Sequence, residues 1–66
     1  MKLAKCHHYT YQNGTQLDGH SFEVLNITEW NGMVTYVIFM HDTTYYVSQE
    51  AIDDYASKGQ LRHDAI

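Results

Sequence analysis

Residues 22–41 read FEVLNITEWNGMVTYVIFMH, and this stretch decides the fold of the chain. At its centre, Asn31-Gly32 is a dipeptide that tolerates the positive φ angles of a type I′ turn. The residues on both sides are rich in Val, Ile, Thr, Trp and Phe, which favour β-strands. We therefore predict a β-hairpin closed by a two-residue turn. Such a turn sets the register, and the expected cross-strand pairs are Trp30 with Met33, Thr28 with Thr35, Ile27 with Tyr36, Leu25 with Ile38, Val24 with Phe39 and Phe22 with His41.

This register divides the side chains of the hairpin between two faces, because neighbouring residues of a strand point to opposite sides. One face is expected to carry Leu25, Ile27, Val34, Tyr36, Ile38 and Met40. The other face is expected to carry Phe22, Val24, Thr28, Trp30, Val37, Phe39 and His41. An element packed on one face would leave the other open, with a large aromatic surface for a domain of this size.

After the hairpin, the sequence predicts one short strand and one helix. A second turn at residues 41–44 leads into a strand at residues 45–47. Ser48 is typical of a helix N-cap and Gly59 of the residue that follows a helix, which predicts a helix from about residue 49 to residue 58. The apolar side of this helix, which should cover one face of the sheet, consists of Ala51, Ile52, Tyr55 and Ala56.

The N-terminal third of the chain allows two interpretations. A strand from about Leu3 to Tyr11 is expected, and Asn13-Gly14 is suited to closing a second tight hairpin. That hairpin would require a bulge or break at Gly19 in the following strand. Its register would pair Thr10 with Leu17, His7 with His20 and Leu3 with Val24. In the alternative interpretation, residues 12–19 form an ordinary loop.

These elements predict one small α+β domain over residues 1–66, with about residues 62–66 as a flexible tail. The expected architecture is an antiparallel β-meander of three to four strands with one C-terminal helix packed on one face. The alternative is a small SH3-like barrel plus the helix. A domain of this length buries only about 60% of the surface that its unfolded chain exposes, so further burial in a homodimer would add stability.

The charge distribution is one-sided. No Lys or Arg occurs between Cys6 and Ser57, and the formal net charge of the chain is −4. Nucleic-acid binding depends on Lys and Arg that neutralise phosphates, so nucleic acid is not expected as a partner. The sequence has no signal-peptide pattern and no apolar stretch of membrane-spanning length. A single cysteine cannot form an internal disulfide, and a cytoplasmic location is expected.

Charge and aromatic content together predict a non-enzymatic protein-binding module whose acidic surface meets a basic partner protein. In the extreme case it would be an inhibitor that occupies the nucleic-acid-binding site of that partner. Small acidic inhibitors encoded by phages work in this way, and the chain is similar to them in size and charge. The alternative is a homodimeric structural or accessory domain that pairs through its aromatic face. The predicted contact residues are Asp18, Glu23, Glu29 and Asp42 for polar contacts, with Trp30, Phe22, Phe39 and Tyr46 as anchors.

Five histidines and one cysteine are the residues suited to other chemistry. In the tight-hairpin register His7, His20 and His41 come together, and three imidazoles suit Zn²⁺, so a metal-binding regulator is a weaker alternative. No cofactor is expected. Cys6 lacks an orienting third group for thiol catalysis and is expected to be buried and inert, so we predict no enzymatic activity.

Because imidazole titrates near pH 6.5, binding to a basic partner should weaken as the pH falls from about 7.5 to 5.5.

Overall fold

The computed structural model describes residues 1–64, which form five strands and one helix. All strand pairs are antiparallel, and the sheet order is β4-β3-β2-β1-β5. The helix packs on one face of the sheet, so the predicted α+β class and the meander with a C-terminal helix are confirmed. The elements are β1 (His8–Tyr11), β2 (Ser21–Trp30), β3 (Met33–Met40), β4 (Thr43–Ser48), α1 (Gln49–Ser57) and β5 (Leu61–His63).

The sheet has five strands instead of the expected three to four, because the chain returns to it after the helix. Gly59 takes a positive φ of 68° just beyond α1. Leu61 then pairs with Tyr11, and part of the segment predicted as a tail is therefore strand β5. Residues 65–66 of that segment lie outside the described residues. Within residues 1–64, β4 and β5 are the two edges and do not pair with each other, so the sheet is open and does not close into the alternative barrel.

The β2–β3 hairpin follows the predicted register only in the half nearest its turn. Trp30 pairs with Met33, and the following pairs agree with the prediction as far as residue 26. Beyond that point Ile38 pairs with Val24 instead of Leu25, and the register shifts between Val24 and residue 26. Leu25 is the extra residue of a β-bulge, and such a bulge reverses the faces of the side chains that precede it.

The bulge moves Phe22 and Val24 to the face that the helix covers. These side chains expose 1% and 0% of their surface, although the unbulged register placed them on the opposite face. Burial of a large apolar side chain is worth roughly 1.5–3 kcal/mol, so the burial of two such residues gives a physical reason for the irregularity. The predicted aromatic face correspondingly loses both residues.

The core lies between this face of the sheet and α1. Ile52 is the completely buried residue of the helix, and Tyr55 packs beside it against the core. The Phe22 ring lies between two tyrosine rings, with centroids 5.7 Å from Tyr9 and 5.1 Å from Tyr11. The buried apolar set is Leu3, Tyr9, Tyr11, Phe22, Val24, Tyr36, Ile38, Met40, Ile52 and Leu61.

Helix α1 begins where the sequence predicts. The Ser48 Oγ accepts a hydrogen bond from the Ala51 N–H at 3.1 Å, as an N-cap residue does. The buried Tyr36 hydroxyl donates to the side-chain oxygen of Gln49 and accepts from the Leu3 N–H at 3.2 Å. These bonds connect the N-terminal segment, β3 and the helix. No helix of the described residues is long and apolar enough to cross a membrane.

The first strand is shorter than predicted. It begins at His8 and not near Leu3, because Cys6 has a positive φ of 69° and forms part of a turn. The expectation of a buried Cys6 is also corrected, since its side chain is exposed.

Residues 12–20 form a loop, which is the second of the two interpretations of the N-terminal third. Asn13 Nδ2 donates to the Gly59 carbonyl at 2.7 Å, which holds the loop against the connection between α1 and β5. Strand β1 consequently pairs with β2 in another register than the tight hairpin requires, and Thr10 lies opposite Ser21.

Tyr11 makes stability depend on pH in alkaline solution. Burial, with a smaller contribution from the neighbouring Tyr55, raises the pKa of Tyr11 from its ordinary value of about 10 to about 12. The unfolded chain therefore loses this proton at a lower pH than the folded chain does. The stabilisation is fully present below about pH 10 and is lost as the pH rises from about 10 to 12.

We therefore expect the free energy of unfolding to fall between pH 10 and pH 12, and to fall less steeply in Tyr11→Phe. Urea denaturation at fixed ionic strength measures both slopes. Tyr46→Phe is the matched control because the Tyr46 side chain is 75% exposed. Identical slopes in the original chain and in Tyr11→Phe would contradict this role of Tyr11.

Candidate protein-binding face

Helix α1 covers one side of the sheet, and the other side of β2, β3 and β4 is uncovered. We call this second side the open face. Since α1 packs on the side that carries the core, the open face carries the alternate residues of each strand. According to the strand registers, the open face carries four rows of residues that are neighbours across the strands. The rows are Glu23, Phe39 and Thr44; Asn26, Val37 and Tyr46; Thr28, Thr35 and Ser48; and Trp30 and Met33.

Aromatic side chains are the most exposed large groups of the open face. Trp30 and Tyr46 expose 78% and 75% of their surface, and Phe39 exposes 41%. Phe39, Tyr46 and Val37 are neighbours across β3 and β4 and form what we call the central patch. Trp30 and Met33 lie at the end of the hairpin, beyond the row of threonines. The apolar surface is thus divided between the central patch and the hairpin tip.

One end of the open face is acidic. Glu23 lies directly opposite Phe39, and Asp42 lies in the turn between β3 and β4. Together with His8 and His41 they line a shallow depression of about 290 Å³. His8 Nε2 lies 3.8 Å from Glu23 Oε1, so protonation of this histidine places positive charge beside the carboxylate.

The predicted contact residues are only partly brought together. The central patch and the acidic end contain four of them, Glu23, Phe39, Asp42 and Tyr46. Trp30 lies at the hairpin tip on the open face, whereas the neighbouring Glu29 lies on the opposite side of the sheet. Asp18 lies in the loop before β2. Phe22 is corrected from an exposed anchor to a core residue, because the bulge at Leu25 turns it toward the helix.

The histidines form two pairs and not the predicted triad. His20 Nδ1 lies 2.7 Å from His41 Nε2, and His7 Nδ1 lies 2.9 Å from His63 Nε2. His7 is not beside His20, because the tight hairpin that would have joined them does not form. Both distances fit a hydrogen bond between two imidazoles. Across residues 1–64, no three His, Cys, Asp or Glu side chains are arranged to hold a metal ion.

His63 is a neighbour of His7 that sequence reasoning missed. It contacts both the His7 and the Tyr9 rings, with centroids 5.0 and 4.8 Å away. It reaches them because β5 returns to pair with β1, a strand that the sequence did not predict. No local pattern in residues 61–63 identified this pairing.

The turn at the acidic end is strained. His41 and Asp42 have φ values of 56° and 59°, and a type I′ turn requires such angles at both central residues. The first hairpin meets this requirement with Asn31-Gly32. In the second turn, this conformation costs His41 roughly 1–2 kcal/mol, and it costs Asp42 less because Asp tolerates a positive φ better than most residues other than Gly. This turn therefore carries a conformational cost that the first hairpin turn avoids.

Replacing Asp42 with Gly is expected to stabilise the domain by about 0.5–1 kcal/mol, because Gly adopts a positive φ without steric cost. The melting temperature should rise by a few degrees, since 1 kcal/mol corresponds to about 4–8 °C in a domain of this size. Thermal unfolding followed by circular dichroism measures the shift. Gly32→Ala, at a φ of 76° in the other hairpin, is the reciprocal control and should lower the melting temperature. An unchanged melting temperature in Asp42→Gly would show that the turn is not strained.

Comparison of the chain with protein families, with curated proteins and with solved structures found no match. Its function is therefore inferred from the open face itself. Exposed aromatic side chains stabilise a complex when a partner removes them from water, and carboxylates attract cationic groups. The open face offers both kinds of group at one end, where the turn is also strained.

Proposed function

We propose that the chain is a small, non-enzymatic protein-binding module that presents its open face to a basic partner protein. The observation that supports this best is that the carboxylates Glu23 and Asp42 line one depression together with Phe39, whose exposed ring belongs to the central patch. No Lys or Arg lies in β2, β3 or β4 to offset these carboxylates. Interfaces between proteins commonly combine a few aromatic anchors with a polar rim in this way.

The charge of the module favours a basic partner. All four Lys and Arg residues lie outside residues 7–57, so the sheet surface around the aromatic rings is negative at neutral pH. Complementary charge accelerates association and disfavours acidic partners. Nucleic-acid-binding proteins present basic surfaces of this kind. In the extreme form of the proposal, the carboxylates of the module occupy the positions of phosphates and the module inhibits nucleic-acid binding.

The test is a pull-down with the immobilised chain, followed by affinity measurements with a purified captured protein. Captured proteins should be mostly basic and should elute at moderate salt, because salt screens exposed charge pairs. Asp42→Asn and Glu23→Gln should each weaken binding about two- to fivefold, which corresponds to about 0.5–1 kcal/mol for an exposed charge pair. Asp54→Asn is the matched control, because it removes the same charge from the exposed side of α1.

The same assay measures the pH dependence of binding. Affinity for a basic partner should fall between about pH 7.5 and 5.5, because the five histidines can add positive charge to a chain whose formal net charge is −4. Constant affinity at fixed ionic strength would contradict this role of the histidines. Capture that resists salt, or an equal effect of Asp54→Asn and Asp42→Asn, would argue against an acidic binding site on the open face.

A homodimer through the open face is the alternative that the exposed rings of Trp30 and Tyr46 also support. Light scattering distinguishes it, since the mass would double and would return to that of one chain in Trp30→Ala or Tyr46→Ala. The weaker candidate is a metal-binding regulator, in which one of the two histidine pairs would supply ligands. Zinc would then raise the melting temperature of the original chain but not that of His41→Ala, because binding to the folded state stabilises it.

A further inference from the structure

The two edges of the sheet differ in their capacity to accept another strand. Strand β5 has three residues. At its centre, the Nε atom of Arg62 lies 3.3 Å from the Oδ1 atom of Asp64. Short, charged edge strands of this kind resist pairing with other chains. Strand β4 has six residues, contains neither a charged residue nor Pro, and pairs with β3 on one side only. Edge strands with these properties are the ones to which a further strand can add.

The β3–β4 register indicates which backbone groups β4 leaves free. Met40 and Thr43 flank the two-residue turn as a hydrogen-bonded pair, and such pairs recur at every second residue of an antiparallel ladder. The N–H and C=O groups of Thr44 and Tyr46 therefore point away from β3. Within residues 1–64, neither residue takes part in a backbone hydrogen bond outside the sheet. The edge thus presents donors and acceptors at the spacing that a strand requires.

An added strand would meet different surfaces with its two sets of alternating side chains. On the open-face side lies the central patch with Tyr46. On the helix side, an apolar depression of about 280 Å³ lies between β4 and α1, and its lining includes Leu17, Tyr45, Val47, Ala51 and Tyr55. In strand addition, main-chain hydrogen bonds supply affinity and pockets for alternate side chains supply specificity. The depression is suited to small apolar side chains of an extended segment.

The charges at the two ends of the β4 edge indicate which kind of segment binds there. Asp42 precedes β4 and Glu50 follows it, so both ends of the edge are acidic. In an antiparallel pair of two β4 strands, the Asp42 end of one copy would meet the Glu50 end of the other, and like charges would repel. We propose that the β4 edge binds an extended segment of the basic partner, with Lys or Arg at both ends and apolar residues at alternate positions between them. This inference rests on the proposed function and adds the mode of binding.

A library of seven-residue synthetic peptides is the probe. Each peptide carries Lys or Arg at both ends and alternates Val or Ile with Thr between them. A control library has Glu at both ends and the same central residues. We expect members of the basic library to bind the full chain, and their acidic counterparts to bind at least about tenfold more weakly. A basic library without any binding member overturns the edge proposal, while the pull-down decides the proposed function separately.

Two substitutions at Thr44 separate strand addition from binding to the open face. Thr44→Pro removes the outward N–H, and Pro is tolerated at edge positions whose N–H faces solvent. Thr44→Val keeps the N–H and, like Thr44→Pro, removes the hydroxyl opposite Phe39, so it controls for the loss of the side chain. Peptide affinity should fall about tenfold or more in Thr44→Pro and should stay within about twofold in Thr44→Val.

Amide hydrogen exchange in the unsubstituted chain gives a readout that does not depend on the folding of Thr44→Pro. The amides of Thr44 and Tyr46 should exchange faster than that of Tyr45 in the free chain, and should slow when the peptide is added.

Equal peptide affinities of the two Thr44 variants, with unchanged exchange, would overturn the edge proposal. If Asp42→Asn still weakened binding in that case, the proposed function would stand and the contact would lie on the open face. A dimer of the free chain that Thr44→Pro abolishes would assign the edge to a second copy instead.

Discussion

Replacing Phe22 with Ala is expected to lower the free energy of unfolding by about 3–5 kcal/mol, the usual cost of removing a buried aromatic ring. The Phe22 side chain is 1% exposed, and its ring lies between those of Tyr9 and Tyr11. Its removal would leave a cavity in the centre of a small core. A domain of 66 residues has a total stability of roughly 3–10 kcal/mol, so much of the Phe22→Ala population should be unfolded. Urea denaturation followed by far-UV circular dichroism measures the loss.

Phe39→Ala is the matched control for this prediction. It removes the same side chain from the open face, where Phe39 is 41% exposed, and should cost about 1–2 kcal/mol. The difference between the two variants tests the bulge at Leu25, because an unbulged hairpin places Phe22 and Phe39 on the same face of the sheet. Similar small losses in both variants would contradict the bulged register.

Replacing Ile52 with Ala should cost about 2–5 kcal/mol and should also remove the helix. Ile52 is 0% exposed and is the buried residue through which α1 docks on the sheet. A helix of nine residues does not form alone in water, so α1 depends on this packing. We expect the melting temperature to fall by more than about 10 °C, with loss of helical circular dichroism.

Ile52→Val and Ser57→Ala provide the controls for the helix. Ile52→Val removes one methyl group and should cost about 0.5–1.5 kcal/mol. Ser57 is exposed at the end of α1, and its replacement should change stability by less than about 0.5 kcal/mol. If Ile52→Ala cost no more than Ser57→Ala, the docking of α1 through Ile52 would be refuted.

The elements predicted most accurately are those specified by neighbouring residues. Asn31-Gly32 adopts the positive φ values of the first turn because these residues tolerate them better than others do. Ser48 caps the helix through a hydrogen bond to a residue three positions away, and Gly59 follows the helix with a positive φ. Such preferences act within a few residues, so they can be read directly from the sequence.

The candidate site could be predicted in composition but only partly in arrangement. Trp30, Phe39 and Tyr46 are exposed, as the alternation of the hairpin and the second turn indicated. The face of Phe22 could not be predicted, because one extra residue in β2 reverses the side chains before it and no Gly marks the position. The contact of His63 with His7 was equally hidden, because it depends on a strand that pairs across more than fifty residues.

By itself, the sequence determined the hairpin of residues 22–41, the helix after Ser48 and a stretch without Lys or Arg from residue 7 to residue 57. The tertiary structure decided the bulge at Leu25, the loop before β2 and the return of β5, and with them which side chains remain on the open face. The physical reason is a difference in range. Turns and caps follow from the backbone preferences of adjacent residues, whereas the bulge and β5 follow from the burial of Phe22 and Leu61 in a core that distant segments of the chain form together.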